Sequence, residues 1–107
     1  MKKLLLDECV PHRLRKNLPE FEVYTVTFMG WSGIKNGKLL QLAVDNHFDL
    51  FVTTDKNLPY QQNSTKFPIA IVVFNVVKDE FETIMMLLPK MKLLADSFEK
   101  NKVYVIE

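Results

Sequence analysis

Five short runs of apolar and β-branched residues are the feature that most limits how this chain of 107 residues can fold. They are residues 4–6, 22–27, 50–52, 69–74 and 102–106. Such lengths are typical of strands, and the continuous apolar character of 50–52 and 69–74 is typical of strands buried on both faces of a parallel sheet. We therefore expect a sheet of about five strands.

Segments with helical features separate these runs. They are residues 12–18, 36–47 and 79–98, and a brief helix or ordered loop is expected over 58–64. Pro11 fits the first turn of the first helix, whereas Pro89 should kink or split the last one because proline lacks a backbone N–H. Strands that alternate with helices through right-handed crossovers predict a three-layer α/β/α sandwich around a mostly parallel sheet.

Length and composition exclude several classes of protein. A chain of this size is a single domain, 1–107, and its formal net charge of +1 points neither towards nucleic acid nor away from it. The lone cysteine, Cys9, excludes an intramolecular disulfide and a cysteine-rich zinc site. No segment approaches the roughly 18 apolar residues that span a bilayer. We expect a cytoplasmic protein without a membrane partner.

Acidic residues follow two of the predicted strands. Asp7 and Glu8 come directly after residues 4–6, and Asp55 comes shortly after 50–52. The carboxyl ends of parallel strands share one edge of the sheet, so we expect the three side chains to converge. Close carboxylates favour a bound cation, and oxygen ligands favour Mg²⁺ or Mn²⁺. The alternative is that Asp7 and Asp55 only cap the following turns.

Basic and amide side chains accompany these carboxylates. Lys56 and Asn57 follow Asp55, where the lysine can hold a phosphate and the asparagine can position a water or complete a metal shell. Arg13 lies on the predicted helix after Glu8 and would face the same edge. The alternative for each is an ordinary exposed side chain.

Other residues have simpler interpretations. Trp31, between two glycines, is either a platform for a base or a cover for the core, and we favour the cover. Cys9 has no histidine near it in sequence and is expected to be a small core residue. Met85, Met86 and Met91 are expected in the core or at a homodimer surface.

Two motifs give the chain a resemblance to a family. Residues 3–11, KLLLDECVP, resemble the opening ILLDEnlP of small PIN-like proteins of the toxin type, and residues 52–58, VTTDKNL, follow in the order and spacing of that family. The resemblance covers essentially the whole chain. It implies a fold similar to PIN-domain nucleases, in which acidic side chains hold Mg²⁺ or Mn²⁺ for hydrolysis of single-stranded RNA. Many such toxins are silenced by an antitoxin protein.

The resemblance also assigns roles to residues. It implies that Asp7 and Asp55 are metal ligands, with Glu8 as a further ligand or a base that orients water. The chain departs from the family over residues 33–40, which read GIKNGKLL where the family has GasDeeil. An Asp and a Glu are thus replaced by Asn36 and Gly37.

Lys38 follows the two replaced positions and adds a positive charge near the expected metal. With two anionic ligands fewer, the remaining carboxylates would hold one ion through waters, and Asp79 or Glu80 after the fourth strand would contribute. The alternative is that the site no longer cleaves, and that Lys35, Lys38 and Lys56 make it a pocket for phosphate or RNA.

Three hypotheses follow. The first is a PIN-like, metal-dependent endoribonuclease, the toxin of a toxin–antitoxin pair, and its proposed residues are catalytic Asp7, Glu8 and Asp55 and RNA-binding Arg13, Lys38, Lys56 and Asn57. The second is a catalytically silent PIN-like domain that binds RNA or a protein. The third is a phospho-acceptor domain like response-regulator receivers, which ranks last because the fourth and fifth strands lack the terminal hydroxyl residue and lysine that it requires.

Overall fold

A parallel five-stranded sheet forms the centre of the fold. The computed structural model describes residues 1–58, 66–77, 80–94 and 96–107. The strands are β1 (Lys3–Leu6), β2 (Glu22–Thr25), β3 (Leu50–Thr53), β4 (Ala70–Phe74) and β5 (Val103–Ile106). Their order is β2-β1-β3-β4-β5, and all four neighbouring pairs are parallel. The expectation of a parallel sheet is confirmed.

Helices cover both faces of this sheet. A 3₁₀ helix (His12–Asn17) and the helix α2 (Phe81–Leu93) pack on one face, and the helix α1 (Asn36–Asp45) packs on the other. Side chains alternate along β1, so that Leu4 and Leu6 join the core under α2 whereas Leu5 joins the core under α1. The predicted three-layer α/β/α sandwich is confirmed.

The strand order has one reversal, between β1 and β3. The chain steps outward from β1 to β2, then returns past β1 to form β3 and continues in the opposite direction. Helices on opposite faces leave a crevice at such a point, outside the carboxyl ends of the two strands. The fold thus opens a binding crevice at the position where Asp7 leaves β1 and Asp55 follows β3.

Several elements differ from the sequence expectation. The segment after Pro11 is a 3₁₀ helix, and β2 ends at Thr25, where the Thr25 carbonyl oxygen accepts the Met29 N–H and begins a hydrogen-bonded turn. The helix α2 runs through Pro89 unbroken, so the expected split is wrong. Pro89 lies on the exposed side of α2, where water can replace the missing hydrogen bond.

Two expectations concern residues that the structure describes only in part or not at all. Of the segment 58–64, the structure describes only Leu58, which is buried. Asp79 also lies outside the described residues. In the described parts of the chain, no helix combines the length and apolar character needed to cross a membrane.

Candidate active site

The register between β1 and β3 brings Asp7 and Thr53 side by side. Leu6 pairs with Val52, and the Asp7 N–H donates to the Val52 carbonyl oxygen at 2.9 Å, so the pairing continues one residue beyond β1. Neighbouring parallel strands lie about 4.8 Å apart, which is within reach of a hydrogen bond between short side chains. The Thr53 hydroxyl donates to Asp7 Oδ2 at 2.8 Å.

Thr53 also connects Asp7 to the chain around Asp55. Its Oγ1 accepts the Asp55 N–H at 3.0 Å while it donates to Asp7. One hydroxyl makes both bonds because it has one proton and two lone pairs. The side chain is 0% exposed, so neither bond competes with water. A single buried threonine thereby fixes the carboxylate of Asp7 relative to the backbone of Asp55.

Asp55 lies in a tight turn after β3. Its Oδ1 accepts the Asn57 N–H at 3.0 Å, and its carbonyl oxygen accepts the Leu58 N–H at 3.3 Å. Leu58 is buried in the core under α1 and anchors the turn. Within the described residues, Asp55 Oδ2 accepts no hydrogen bond. The turn therefore leaves one carboxylate oxygen of Asp55 available to a ligand.

An open pocket of about 550 Å³ lies at the carboxyl edge of the sheet, next to these residues. Five predicted site residues line it, together with a thiol, a threonine and two valines: Asp7, Glu8, Asp55, Lys56, Asn57, Cys9, Thr54, Val76 and Val77. Three carboxylates face one ammonium group in this lining. The three carboxylates that were expected to converge therefore line one pocket, and this lining carries an excess of negative charge.

Glu8 is directed partly away from the other two carboxylates. Its Oε1 accepts the N–H of Gly33 at 2.9 Å, which ties the end of β1 to the loop before α1. The Glu8 N–H itself donates to Asp7 Oδ1 at 2.8 Å. Gly33 has a φ of +80°, a conformation that glycine adopts without the steric cost of a side chain. In this arrangement Glu8 positions a loop as well as lining the pocket.

Cys9 lies between the carboxyl ends of β1 and β3. Its Sγ lies 3.5 Å from Asp7 Oδ2 and 3.4 Å from Thr53 Oγ1, and it accepts the Thr54 N–H at 3.5 Å. Burial raises the pKa of the thiol above its ordinary value, the contacts with Thr53 and Thr54 oppose this shift, and the neighbouring Asp7 carboxylate adds to it. The protonated thiol is the stable form here, as a structural role requires.

Two predicted RNA-binding residues lie outside the pocket lining. The Arg13 guanidinium lies over the Phe81 ring, with its carbon 4.1 Å from the ring centroid, and its Nη2 is 3.8 Å from Glu82 Oε1. Lys38 is exposed on the first turn of α1. Glu80 lines a neighbouring apolar groove beside α2.

The fit of a divalent cation can be judged from the donor atoms. In the described residues, no group of three or more His, Cys, Asp and Glu side chains is arranged to hold a metal. Asp7 accepts protein hydrogen bonds at both oxygens, from the Glu8 N–H at Oδ1 and from the Thr53 hydroxyl and the Cys9 thiol at Oδ2. A carboxylate has about four lone-pair sites, so capacity remains at Asp7 as well as at Asp55 Oδ2. The two residues suit a Mg²⁺ that is bound through one or two carboxylates, waters and a substrate phosphate.

Two residues of the site were not singled out from the sequence. Thr53 directly follows the apolar run 50–52, and no role in the site was expected for it from the sequence. Its signal was a hydroxyl residue at a position that the run predicts to be buried, since buried hydroxyls require partners. Cys9, expected to be a small core residue, packs half-buried against the core under α2 and also lines the pocket.

The chain was compared with protein-family models, with curated proteins and with solved structures, and none of the three comparisons finds a match. The function must therefore be argued from the site and from the motifs.

We predict that the loss of stability on removal of the Thr53 hydroxyl depends on the presence of the Asp7 carboxylate. Thr53→Val keeps the shape but removes the partner of Asp7 Oδ2 and of the Asp55 N–H, so it should lower the free energy of unfolding by about 1–3 kcal/mol. In an Asp7→Ala background the same change should cost clearly less. Urea unfolding of the four proteins measures this coupling.

The exposed Thr27 provides a matched control, since Thr27→Val should change the free energy of unfolding by less than about 0.5 kcal/mol. An equal cost of Thr53→Val in both backgrounds would show that the hydroxyl does not hold Asp7.

We also predict slow alkylation of Cys9. A raised pKa leaves less thiolate at any given pH, and the thiolate is the reactive form. Iodoacetamide should modify the folded protein more slowly than the protein unfolded in urea at the same pH, as followed by intact mass. The midpoint of the pH–rate profile should lie above the ordinary pKa of cysteine. Equal rates in both states would contradict the assigned environment.

Proposed function

We propose that this protein is a PIN-like, metal-dependent endoribonuclease that uses Asp7 and Asp55 at the carboxyl edge of its sheet. The observation that carries the proposal is the shared pocket. It joins carboxylates from the ends of β1 and β3 at the reversal of the strand order, where folds of this class bind ligands. The motifs around Asp7 and Asp55, which resemble those of PIN-like proteins, support the same activity.

The charge of the pocket supports a cation as part of its function. Three carboxylates in one lining repel one another, and a single lysine does not balance them. Asp7 and Asp55 supply oxygen atoms, the donors that Mg²⁺ and Mn²⁺ prefer. With two carboxylates, the ion would be held firmly only when a substrate phosphate completes its shell.

Each residue has a role in this proposal. A divalent cation bound here would neutralise the scissile phosphate and lower the pKa of a water molecule. Asp7 and Asp55 would hold the ion, and Lys56 would contact a phosphate oxygen from the rim of the pocket. Asn57 can orient the attacking water through its amide. Water adds to phosphorus, the bond to the leaving oxygen of the RNA breaks, and a proton passes to that oxygen.

The biological setting is part of the same proposal. The resemblance to toxin-type PIN-like proteins suggests the toxin of a toxin–antitoxin pair that acts in the cytoplasm, with an antitoxin protein as partner. Val77 and Met86 are exposed beside the apolar groove that Glu80 also lines, which is compatible with a protein partner.

A second candidate is a PIN-like domain that binds RNA or a protein without cleavage. The observation that favours it is the incomplete set of anionic ligands in the described residues, with Asn36 and Gly37 at two expected acidic positions. Lys56 then serves as a phosphate contact in a site without hydrolysis. Binding of RNA without turnover in either Mg²⁺ or Mn²⁺ would favour this candidate.

The ribonuclease proposal predicts that Asp55→Asn and Asp7→Asn each abolish cleavage. Loss of one ligand charge weakens both metal binding and water activation, so the rate on end-labelled single-stranded RNA in Mn²⁺ should fall about 100-fold or more. EDTA should stop cleavage by the wild-type protein. The measurement is a time course of product formation on a denaturing gel.

Asp45→Asn is the matched control, because Asp45 is exposed at the end of α1 and contacts only Gln41 among the hydrogen bonds described for its side chain. It should cleave at the wild-type rate. Cleavage by Asp55→Asn at that same rate would refute the assignment of the site.

A further inference from the structure

We propose that Phe28 is a stacking platform for an unpaired base of a single-stranded nucleic acid whose backbone reaches the pocket of Asp7 and Asp55. The identity of this strand as RNA rests on the ribonuclease proposed above. The platform itself rests on the position, the rigidity and the charge of the turn after β2.

Hydrogen bonds fix the turn that exposes the Phe28 ring to solvent. Phe28 is 71% exposed, although a phenyl ring is among the side chains that gain most from burial. Its N–H donates to Thr25 Oγ1 at 3.0 Å, and the Trp31 N–H returns to the Val26 carbonyl oxygen at 3.0 Å. Gly30, with a φ of +75°, completes this turn. The ring is thus presented by a fixed turn and is available for contact without reorganisation.

The ring also forms the open end of an aromatic row. Ring centroids are 5.9 Å apart for Phe28 and Tyr24, 5.7 Å for Tyr24 and Phe48, and 6.1 Å for Phe48 and Trp31. Trp31 packs half-buried against the core, as the sequence suggested, so it is not the platform. A base that stacks on Phe28 would extend this row into solvent.

The turn lies at the same edge of the sheet as the acidic pocket. β2 is the parallel neighbour of β1, and the Val26 N–H donates to the carbonyl oxygen of Leu6, the residue directly before Asp7, at 3.0 Å. The bond between Glu8 and the Gly33 N–H ties the far side of the turn to the pocket lining. A strand of nucleotides can therefore contact both features.

The charge of the segment around Phe28 favours a polyanion as the occupant there. Residues 23–44 contain no Asp or Glu, and their charged side chains are Lys35 and Lys38, both exposed. The flanking carboxylates of Glu8 and Glu22 accept hydrogen bonds from the Gly33 N–H and the Tyr24 hydroxyl. A single-stranded nucleic acid has phosphates along one side and flat aromatic bases along the other, which matches the exposed lysines and the exposed Phe28 ring.

The test measures RNA binding without cleavage. A fluorescein-labelled, single-stranded RNA of about ten nucleotides is titrated with protein in EDTA, and polarisation is recorded. Phe28→Ala should weaken binding about 5- to 100-fold, the range that loss of stacking on one base produces. Phe28→Trp should bind at least as well as the wild type.

Phe28→Leu separates stacking from general apolar contact, because leucine is apolar but has no aromatic face. It should resemble the alanine variant. Leu93→Ala is the control for removal of an exposed apolar side chain on α2, where Leu93 is 84% exposed, and should bind as the wild type does. Duplex RNA of the same sequence should bind more weakly and respond little to Phe28→Ala.

Different results would contradict the Phe28 platform and the proposed ribonuclease activity. Unchanged affinity in Phe28→Ala, or wild-type affinity in Phe28→Leu, overturns the platform, and the second result indicates a protein or other apolar partner. Binding that depends on Phe28, with no cleavage of the RNA in Mn²⁺, supports the platform and counts against the ribonuclease.

Discussion

The parallel register of β1 against β3 is the constraint on which the candidate site depends. Leu6 pairs with Val52, and this pairing alone brings Asp7 beside Thr53. A shift of one residue would turn each side chain of β1 to the opposite face and separate the two. Packing fixes the register, because Leu5 belongs to the core under α1 whereas Leu4 and Leu6 belong to the core under α2. The apolar interior thus sets the position of the carboxylate.

Electrostatics then decides what this edge of the sheet can bind. The Thr53 hydroxyl and the Glu8 N–H donate hydrogen bonds to Asp7, and the Asn57 N–H donates to Asp55. The pocket lining contains three carboxylates and a single lysine to balance them. A divalent cation would offset this negative charge, which is the basis of the proposed RNA hydrolysis.

The sequence predicted the sheet, its three layers and the convergence of Asp7 with Asp55, because strand length, apolar character and strand-end polarity are local signals. It missed features that depend on distant contacts. Arg13 lies on Phe81, a residue of the last helix, and Glu8 bonds to Gly33 in a loop after β2.

The role of Thr53 escaped prediction for another reason. Its hydroxyl lies in a strand that is otherwise apolar, and only the register of the neighbouring strand reveals its partner. The same holds for Phe28, whose sequence context is compatible with burial and whose exposure follows from the turn around it.

The most direct measurement of the central claim is paramagnetic broadening of amide NMR signals by Mn²⁺, recorded with a nucleoside 5′-monophosphate that supplies the phosphate without turnover. If Asp7 and Asp55 share one ion, the amides of Glu8, Thr54 and Lys56 should broaden together, and Asp7→Asn should abolish the effect on both strand ends. No selective broadening at this edge, or broadening of the Lys56 region that persists unchanged in Asp7→Asn, would contradict a shared metal site.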